Sequence, residues 1–532
     1  MVGCTSSTSA AAMIVGIRCS RPAGEFSARV GRRRRSYSLS RSLTQHFHSR
    51  RQFQHRLVAS SASSAVTPAA ATASSSAAAG RGPQRQRPRP GRRRRVVVTG
   101  MGVICPIGNS LKESWNNLML YDNYSVDRSS DTTGIGVTTL EEALIEQHRQ
   151  GFILTNEHLV KELGLASKLP CQVAAPVRNL RQRYEELVQE LEIHQEQLGG
   201  IEDDSKKVKI TYDPKRTSRS VQFALMAGTE AMIHSGLLQW LQQQDGNNDR
   251  HQLDHRFGVC IGTGMSSVRE ITHSYDQLSS SSESPSSSKR SKKLSPQFIP
   301  KVLTNSPSAR LSLMFGLRGL TTSPSTACAA SAHAIGEAFR QIQYGTCDVM
   351  LAGGTEASIE PLGLAGFSSL RALSTTYNNE PRLSSRPFDS KRDGFVMGEG
   401  SAVLVLEELE HVQKRGAANK ILAELSGYGL SSDAFHITAP DENGDGAYRS
   451  MMMAFDDAVY FDEANHDDDD TVIYVNAHAT STPKGDEIEV KAIERVFNDQ
   501  RRRRQQHRRS VDYSECSAAE DRSSITPTSP YQ

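Results

Sequence analysis

Within SPSTACAASAHAIGEAFRQIQY (323–344), the apolar residues Ala334, Ile335, Ala338, Phe339 and Ile342 recur at a spacing of three and four. This spacing predicts one amphipathic helix with a single buried stripe. Ser325 and Thr326 stand before it as capping residues, which places Cys328 in its first turn. Other stretches have a different pattern. VVVT (96–99), DVMLAGG (348–354) and GSAVLVLEE (400–408) are short apolar runs that predict strands, the first running into a glycine turn at Gly100 and Gly102. GTEAMIHSGL (228–237) predicts a core helix that ends at Gly236. Further on, TVIYVNAHATSTPKGDEIEVKAIERVF (471–497) predicts a strand ending at Asn476, His478 on the following loop, and a helix from Gly485. That helix keeps Ile488, Ala492, Ile493, Val496 and Phe497 on one face. Strands alternating with helices argue for a layered α/β protein.

The 532 residues have room for two or three average domains, or for one large two-part enzyme with extensions. Charge is distributed unevenly. Residues 1–95 hold 19 Arg, no Lys and one acid, Glu25; removing this +18 from the total of +4 leaves −14 for the remainder. The basic balance therefore belongs to the leader and does not point to nucleic acid as a partner of the folded part. An Arg-, Ser- and Ala-rich, acid-poor segment is what an organelle transit peptide looks like, and VGRRRRSYSLS (30–40) fits a mitochondrial processing site, with plastid import as the alternative. No apolar run reaches the eighteen or so residues that span a bilayer, so no membrane association is expected. The eight cysteines form no CxxC pair and no metal spacing, which fits a reducing compartment. Residues 178–213, charged and helical in pattern, and 279–293, Ser-rich, read as surface insertions. The acidic run at 467–470 reads as a solvated loop, and 501–532 as a disordered tail.

Two glycine clusters invite comparison with nucleotide-binding loops. In VVVTGMGVICPIG the third glycine of a dinucleotide fingerprint is replaced by Cys105, and GVCIGTGM is a weak phosphate signal by itself. Cys328 has the stronger claim to chemistry. A lone cysteine is most often a small buried hydrophobe, but at a helix N-terminus the unpaired N–H groups and the dipole favour the thiolate, which is the nucleophile.

TACAASAHAIGEA, YGTCDVMLAGGTEA, GFSSLRALST, RPFDSKRDGFVMGEGSAVLVLEE and YVNAHATSTPKGDEIE, in that order, resemble the β-ketoacyl-acyl-carrier-protein synthases, and most of all the mitochondrial members. The resemblance covers roughly residues 96–500. It implies a thiolase-like α/β fold of five layers, αβαβα, built from two related halves: 96–415, and a second half of which 416–500 is only part. It implies Cys328 as acyl acceptor, with its backbone N–H helping to hold the oxyanion, and His478 as one of two histidines that stabilise the enolate formed on decarboxylation. It also implies that Thr480 and Thr482 contact the phosphopantetheine arm, their plainer role being to cap the turn, and that Met265 lines the acyl tunnel unless it is core filler. His436 falls near the active-site mouth. No metal or organic cofactor is implied; acyl carrier protein is the partner, and a homodimer the assembly. The family continues with a Lys-Ser-x-x-Gly-His segment and a Gly-Phe-Gly-Gly loop, and neither occurs in these 532 residues. Two readings therefore stay open: a condensing enzyme of fatty acid elongation, or a synthase-like protein lacking the second His and the Lys that serves as a docking partner or has no function.

Overall fold

The computed structural model describes residues 17–18, 93–123, 136–153, 155–196, 208–244, 255–265, 267–279, 294–459 and 474–520. The chain divides into two compact units, of which one, residues 22–91, lies outside the described residues. Most of the leader, the 280–293 stretch, the acidic run at 467–470 and residues 521–532 also lie outside them.

Nine strands are described: β1 (Ile17–Arg18), β2 (Val96–Ile104), β3 (Thr138–Thr139), β4 (Val173–Ala174), β5 (Phe257–Gly262), β6 (Thr321–Thr322), β7 (Val349–Ala357), β8 (Glu399–Glu408) and β9 (Ala423–Leu425). Seven of them form one mixed sheet in the order β1-β9-β2-β8-β7-β5-β6, while β3 and β4 pair separately. β8 runs antiparallel to both β2 and β7, whereas β5 lies parallel to β7 and to β6. Both faces of the sheet are covered, so its strands are continuously apolar rather than alternating with polar residues. Val259, Ile261, Leu351, Val403 and Val405 face the cluster around the helix Arg219–His234. Cys260, Met350, Ala352 and Leu406 face Ala334, Ala338, Phe339 and Ile342 of the helix Ala330–Gln343. The stripe read from the sequence is the face this helix buries, and the α/β layering holds.

Four expectations need correction. Gly100 and Gly102 make no turn: they lie inside β2, with a register shift between Val98 and Gly100, and their missing side chains admit a helix. A Cβ on Gly100 would stand 2.3 Å from the carbonyl oxygen of Ala231, and one on Gly102 2.0 Å from that of Ala227. Residues 178–213 are not simply a surface insertion, because the helix Leu180–Glu196 buries Leu180, Leu187 and Leu191 in the main core and Arg183 pairs with Glu190 at 2.8 Å. The tail from Arg501 does not lose its structure at once. The helix Pro483–Glu520 continues through it, since Arg, Gln, Glu and Ala are good helix formers and no Gly or Pro interrupts. Arg503 pairs with Asp456 at 2.5 Å across the neighbouring helix Asp445–Val459. Lastly, no strand ends at Asn476; residues 474–482 are irregular among the described residues.

The division expected near residue 415 does not separate compact units among the described residues. The only strand of the second half among them, β9, joins the first-half sheet beside β2. The rest of that half is a helix pair, Asp445–Val459 against Pro483–Glu520, closed by Met451, Met452, Ala492 and Val496.

Close packing above β5 gives the first prediction. A Cβ on Gly262 would lie 2.2 Å from the carbonyl oxygen of Ala330. Gly262→Ala should therefore destabilise the fold by about 1–3 kcal/mol, as overpacked cores do, measured as a lower urea midpoint at unchanged slope. An unchanged midpoint would mean the helix end moves away freely.

Candidate functional site

Cys328 sits in a single 3₁₀ turn, Ala327–Ala329, that runs straight into the helix Ala330–Gln343. The turn is held at the end of the sheet by two glycines. Gly262 of β5 and Gly354 of β7 pair in register, and a Cβ on Gly354 would come within 2.6 Å of Cβ of Ser331. Ala327 adopts φ 51°, a left-handed conformation costly for a residue with a Cβ, which turns the chain just before the thiol. Thr326 precedes the turn but makes no capping bond; its hydroxyl pairs instead with Nδ1 of His333 at 2.8 Å. Nε2 of His333 has no protein partner, and burial pushes this imidazole down toward the neutral form.

His478 is brought to Cys328 by the irregular loop 474–482, close enough for its imidazole to interact with the thiol. Its side chain reaches solvent on one side and is crowded by protein on the other. Crowding alone would lower its pKa. The hydrogen bond to Cys328, the charge of the thiolate and then Glu489 act the other way, and the net shift is upward. The loop is fixed by its backbone. Oε1 of Glu489 accepts from the His478 N–H at 2.6 Å, and Oε2 from that of Ala479 at 2.8 Å. Asp486 accepts from the N–H of Ser481 at 3.1 Å and of Phe388 at 2.8 Å. Ala479 and Ser481 both have positive φ, at 47° and 67°, so this geometry is imposed by the carboxylates against local preference. From the first half, Gly394 donates to the Ser481 carbonyl at 3.0 Å and Arg392 to those of Thr482 and Pro483 at 3.1 and 2.6 Å.

Thr480 and Thr482 stand on the same loop, their hydroxyls 2.9 Å apart, with that of Thr480 3.5 Å from Oδ1 of Asp486. Met265 is half-buried, not core filler. Its N–H and that of Gly264 donate to Oε2 of Glu356 at 3.2 and 2.8 Å, and it lines a small pocket. His436 sits on an exposed loop where its Nδ1 accepts from the N–H groups of Thr438 and Ala439. Sequence reasoning missed Glu489, Asp486, Glu356 and Arg392. The signal for the first two was present: acids three apart in the first turns of the helix after the His478 loop, where backbone N–H groups need acceptors.

Among the described residues no group of three or more His, Cys, Asp or Glu could hold a metal ion, and no helix is long and apolar enough to cross a membrane. Burial pushes up the thiols of Cys171 and Cys347, and that of Cys260 to about 12. Cys328 is half-buried beside an imidazole. Limited alkylation followed by peptide mapping should therefore label Cys328 before Cys105, Cys171, Cys260 or Cys347. Glu489→Ala should slow that labelling by freeing the His478 loop. Labelling that favours another cysteine would refute the reactivity assigned to Cys328.

A second prediction concerns Glu360, next to the Glu356 that holds Met265. Burial raises its carboxyl to about 8, and one oxygen has no partner. The folded chain then binds a proton that the unfolded chain, at about 4.5, has released, so stability falls as pH rises between those values. Glu360→Gln should remove this slope. Urea midpoints compared across pH 5 to 8 should show the variant gaining on the parent chain as pH rises, and parallel curves would contradict it.

Comparisons place this geometry among known proteins. Residues 183–412 match the model of the β-ketoacyl synthase N-terminal domain, and residues 422–511 that of the C-terminal domain. The mitochondrial 3-oxoacyl-[acyl-carrier-protein] synthase of Arabidopsis thaliana is 36% identical over 76% of this chain and 74% of its own length. The 3-oxoacyl-[acyl-carrier-protein] synthase 2 of Vibrio cholerae is 36% identical over 76% and 78%, and a homologue in Saccharomyces cerevisiae 37% over 75% and 76%. Of solved structures, a type II polyketide acyl carrier protein in complex with its ketosynthase aligns at TM-score 0.54 and 27% identity over 76% of this chain and 78% of that one. A β-ketoacyl synthase from Burkholderia phymatum aligns at 0.53 and 28% over the same shares.

Proposed function

Because the chain belongs to the β-ketoacyl synthase family, the condensing enzymes of fatty acid synthesis, we propose that Cys328 is its acyl acceptor and His478 the base that serves it. The observation that carries this reading is the proximity of the His478 imidazole to the Cys328 thiol, which stands just before a helix N-terminus. His478 takes the thiol proton. The thiolate attacks the carbonyl carbon of an acyl thioester, the bond to the carrier sulfur breaks, and the departing thiolate recovers the proton from His478. In the condensation that follows, a malonyl thioester loses carbon dioxide, and its enolate oxygen takes a hydrogen bond from His478. The enolate carbon attacks the carbonyl carbon of the Cys328 thioester, the acyl–sulfur bond breaks and returns the Cys328 thiolate, and the 3-oxoacyl product, two carbons longer, leaves on the carrier. The thioester and the leaving carbon dioxide carry this chemistry, so no metal or organic cofactor enters the scheme.

The carrier in this reading is acyl carrier protein, supported by the likeness to a ketosynthase complexed with one. In this reading Thr480 and Thr482, on the loop that carries His478, receive the phosphopantetheine arm, and Met265 meets the acyl chain, roles carried over from the family. A mitochondrial location is supported by the acid-poor leader and by the name of the Arabidopsis relative. The homodimer is carried over from the family.

The half-reaction is testable directly. Incubation with an acyl thioester should add one acyl group to Cys328, read by intact mass and peptide mapping. Cys328→Ala should abolish the adduct, and His478→Ala should slow it by about 10²- to 10⁴-fold, as loss of a positioned base does. An adduct that forms at the same rate without His478 would remove the base from the scheme.

A further inference from the structure

Ala327, held at φ 51°, lies between two anchored pieces of chain. Upstream, the Ser323 hydroxyl meets that of Ser308 at 2.7 Å, and the Pro324 carbonyl accepts from the Thr263 N–H at 3.3 Å. Downstream, the 3₁₀ turn with Cys328 runs into the helix Ala330–Gln343, which is packed through Ala334, Ala338, Phe339 and Ile342. Two bonds span the strained residue. The Thr326 carbonyl accepts from the Ala329 N–H at 3.1 Å, and the Thr326 hydroxyl pairs with Nδ1 of His333 at 2.8 Å. Thr326 stands before the N–Cα bond of Ala327, and His333 stands after it on the helix, so relaxing that φ swings the hydroxyl away from the ring. The side-chain bond therefore opposes the relaxation directly. A threonine at this place would ordinarily cap the turn, and Thr326 does not. Because Nε2 of His333 has no partner, Thr326 is the ring's one hydrogen-bond partner among the described residues. Burial keeps the ring toward its neutral form, so it holds Thr326 by a hydrogen bond and not by charge.

We infer that Thr326 and His333 are positioning residues for Cys328: their hydrogen bond latches the strained Ala327 turn, and that turn presents the thiol at the helix end beside His478. The inference rests on Cys328 being the acyl acceptor. Neither residue takes or gives a proton in the scheme. An alanine in the left-handed region relaxes unless its surroundings forbid it. With both flanks anchored, the adjustment falls on the few residues between Pro324 and Ala330, and Cys328 is one of them. Loss of the latch thus displaces the thiol while the helix and the sheet stay in place.

The test follows Cys328 in the full chain by two rates. Alkylation by iodoacetamide needs only a presented thiol. Acylation by butyryl-pantetheine needs the thiolate to form the new thioester bond while the bond to the pantetheine sulfur breaks and His478 returns the proton to that sulfur. Thr326→Val and His333→Leu should each slow both rates by about three- to tenfold, the worth of one neutral hydrogen bond, with urea midpoints showing each variant folded. The double variant should be no slower than the slower single one, because both remove the same bond. Thr326→Ser keeps the hydroxyl and should restore the rates. In a chain carrying Ala327→Gly, where the left-handed turn is free of strain, Thr326→Val should cost less than in the parent chain; a role in stability alone would not depend on residue 327. Should His333→Leu fail to fold, Thr326→Val beside Thr326→Ser carries the test. Rates unmoved in the folded variants, losses that add in the double variant, or a serine no better than valine would overturn the inference alone. No acyl group on Cys328 of the unaltered chain would overturn the proposed function, and this inference with it.

Discussion

How near a helix end can come to the end of a sheet decides whether this site exists. Gly262 and Gly354 lie side by side on β5 and β7 and leave a floor without side chains, on which the carbonyl of Ala330 and the side chain of Ser331 rest. Only with that floor can the 3₁₀ turn holding Cys328 stand at the sheet edge beside the Gly264–Met265 turn. The strained φ of Ala327 follows from the same demand, since the chain must reverse sharply to leave β6 and start a helix within a few residues. The opposite face repeats the device with Gly100 and Gly102 beneath the helix Arg219–His234. The sheet thus trades side chains for close approach on both sides, and the apolar residues around those glycines supply the packing that the glycines do not.

Buried ion pairs then fix what the apolar core leaves loose. Arg219 reaches Glu399 with Nη2 at 2.6 Å and Nε at 2.9 Å, both side chains nearly fully enclosed, and joins the central helix to the start of β8. Arg415 and His411 meet Glu407 at the other end of that strand, and Arg94 and Arg256 share Asp348 just before β7. Such pairs add little net stability against an apolar replacement, but breaking one side costs about 3–5 kcal/mol. Their effect is therefore one of register: β8 is tied to the helix Arg219–His234 and to the residues that follow it, and the start of β7 to the residues before β2 and β5. The upward shift of Glu356 and Glu360 shows the contrast, because burial there is not matched by a nearby cation of equal strength.

Periodicity made most of the first half legible. The stripe from Ala334 to Ile342, the strands at 348–354 and 400–408 and the helix end at Gly236 all follow from local patterns, and the structure has them there. Reading failed where the deciding contact is distant in sequence. Gly100 and Gly102 looked like a turn because glycine usually breaks a strand, and only the Ala227 and Ala231 carbonyls across the layer show why it does not. The helix Leu180–Glu196 looked like solvent-facing charge because its apolar positions are few, yet Leu180, Leu187 and Leu191 fall on one side and go inside. For the site, motifs singled out Cys328 and His478, and the structure brings the two together. Their supports were harder to see: Glu489 and Asp486 showed only as acids three apart in the first turns of a helix, and Glu356, which acts on backbone N–H groups, left no pattern of side-chain types.

Because Cys328 and His478 stand 150 residues apart in the chain, their proximity depends on the docking of one segment onto the other. The loop 474–482 has no ladder of its own among the described residues; it borrows order from Glu489 and Asp486 below and from Arg386, Arg392 and Gly394 beside it. The sign of the His478 shift follows from this docking. Crowding opposes the imidazolium, but the adjacent thiol and Glu489 favour it, so the folded chain holds that proton to higher pH than the unfolded chain does. Its contribution to stability is therefore complete below the ordinary histidine value of about 6.5 and is lost as pH rises through the raised one. In the proposed scheme this upward shift favours transfer of the thiol proton to His478. The contacts that order the loop thus also set the proton affinity on which its chemistry depends.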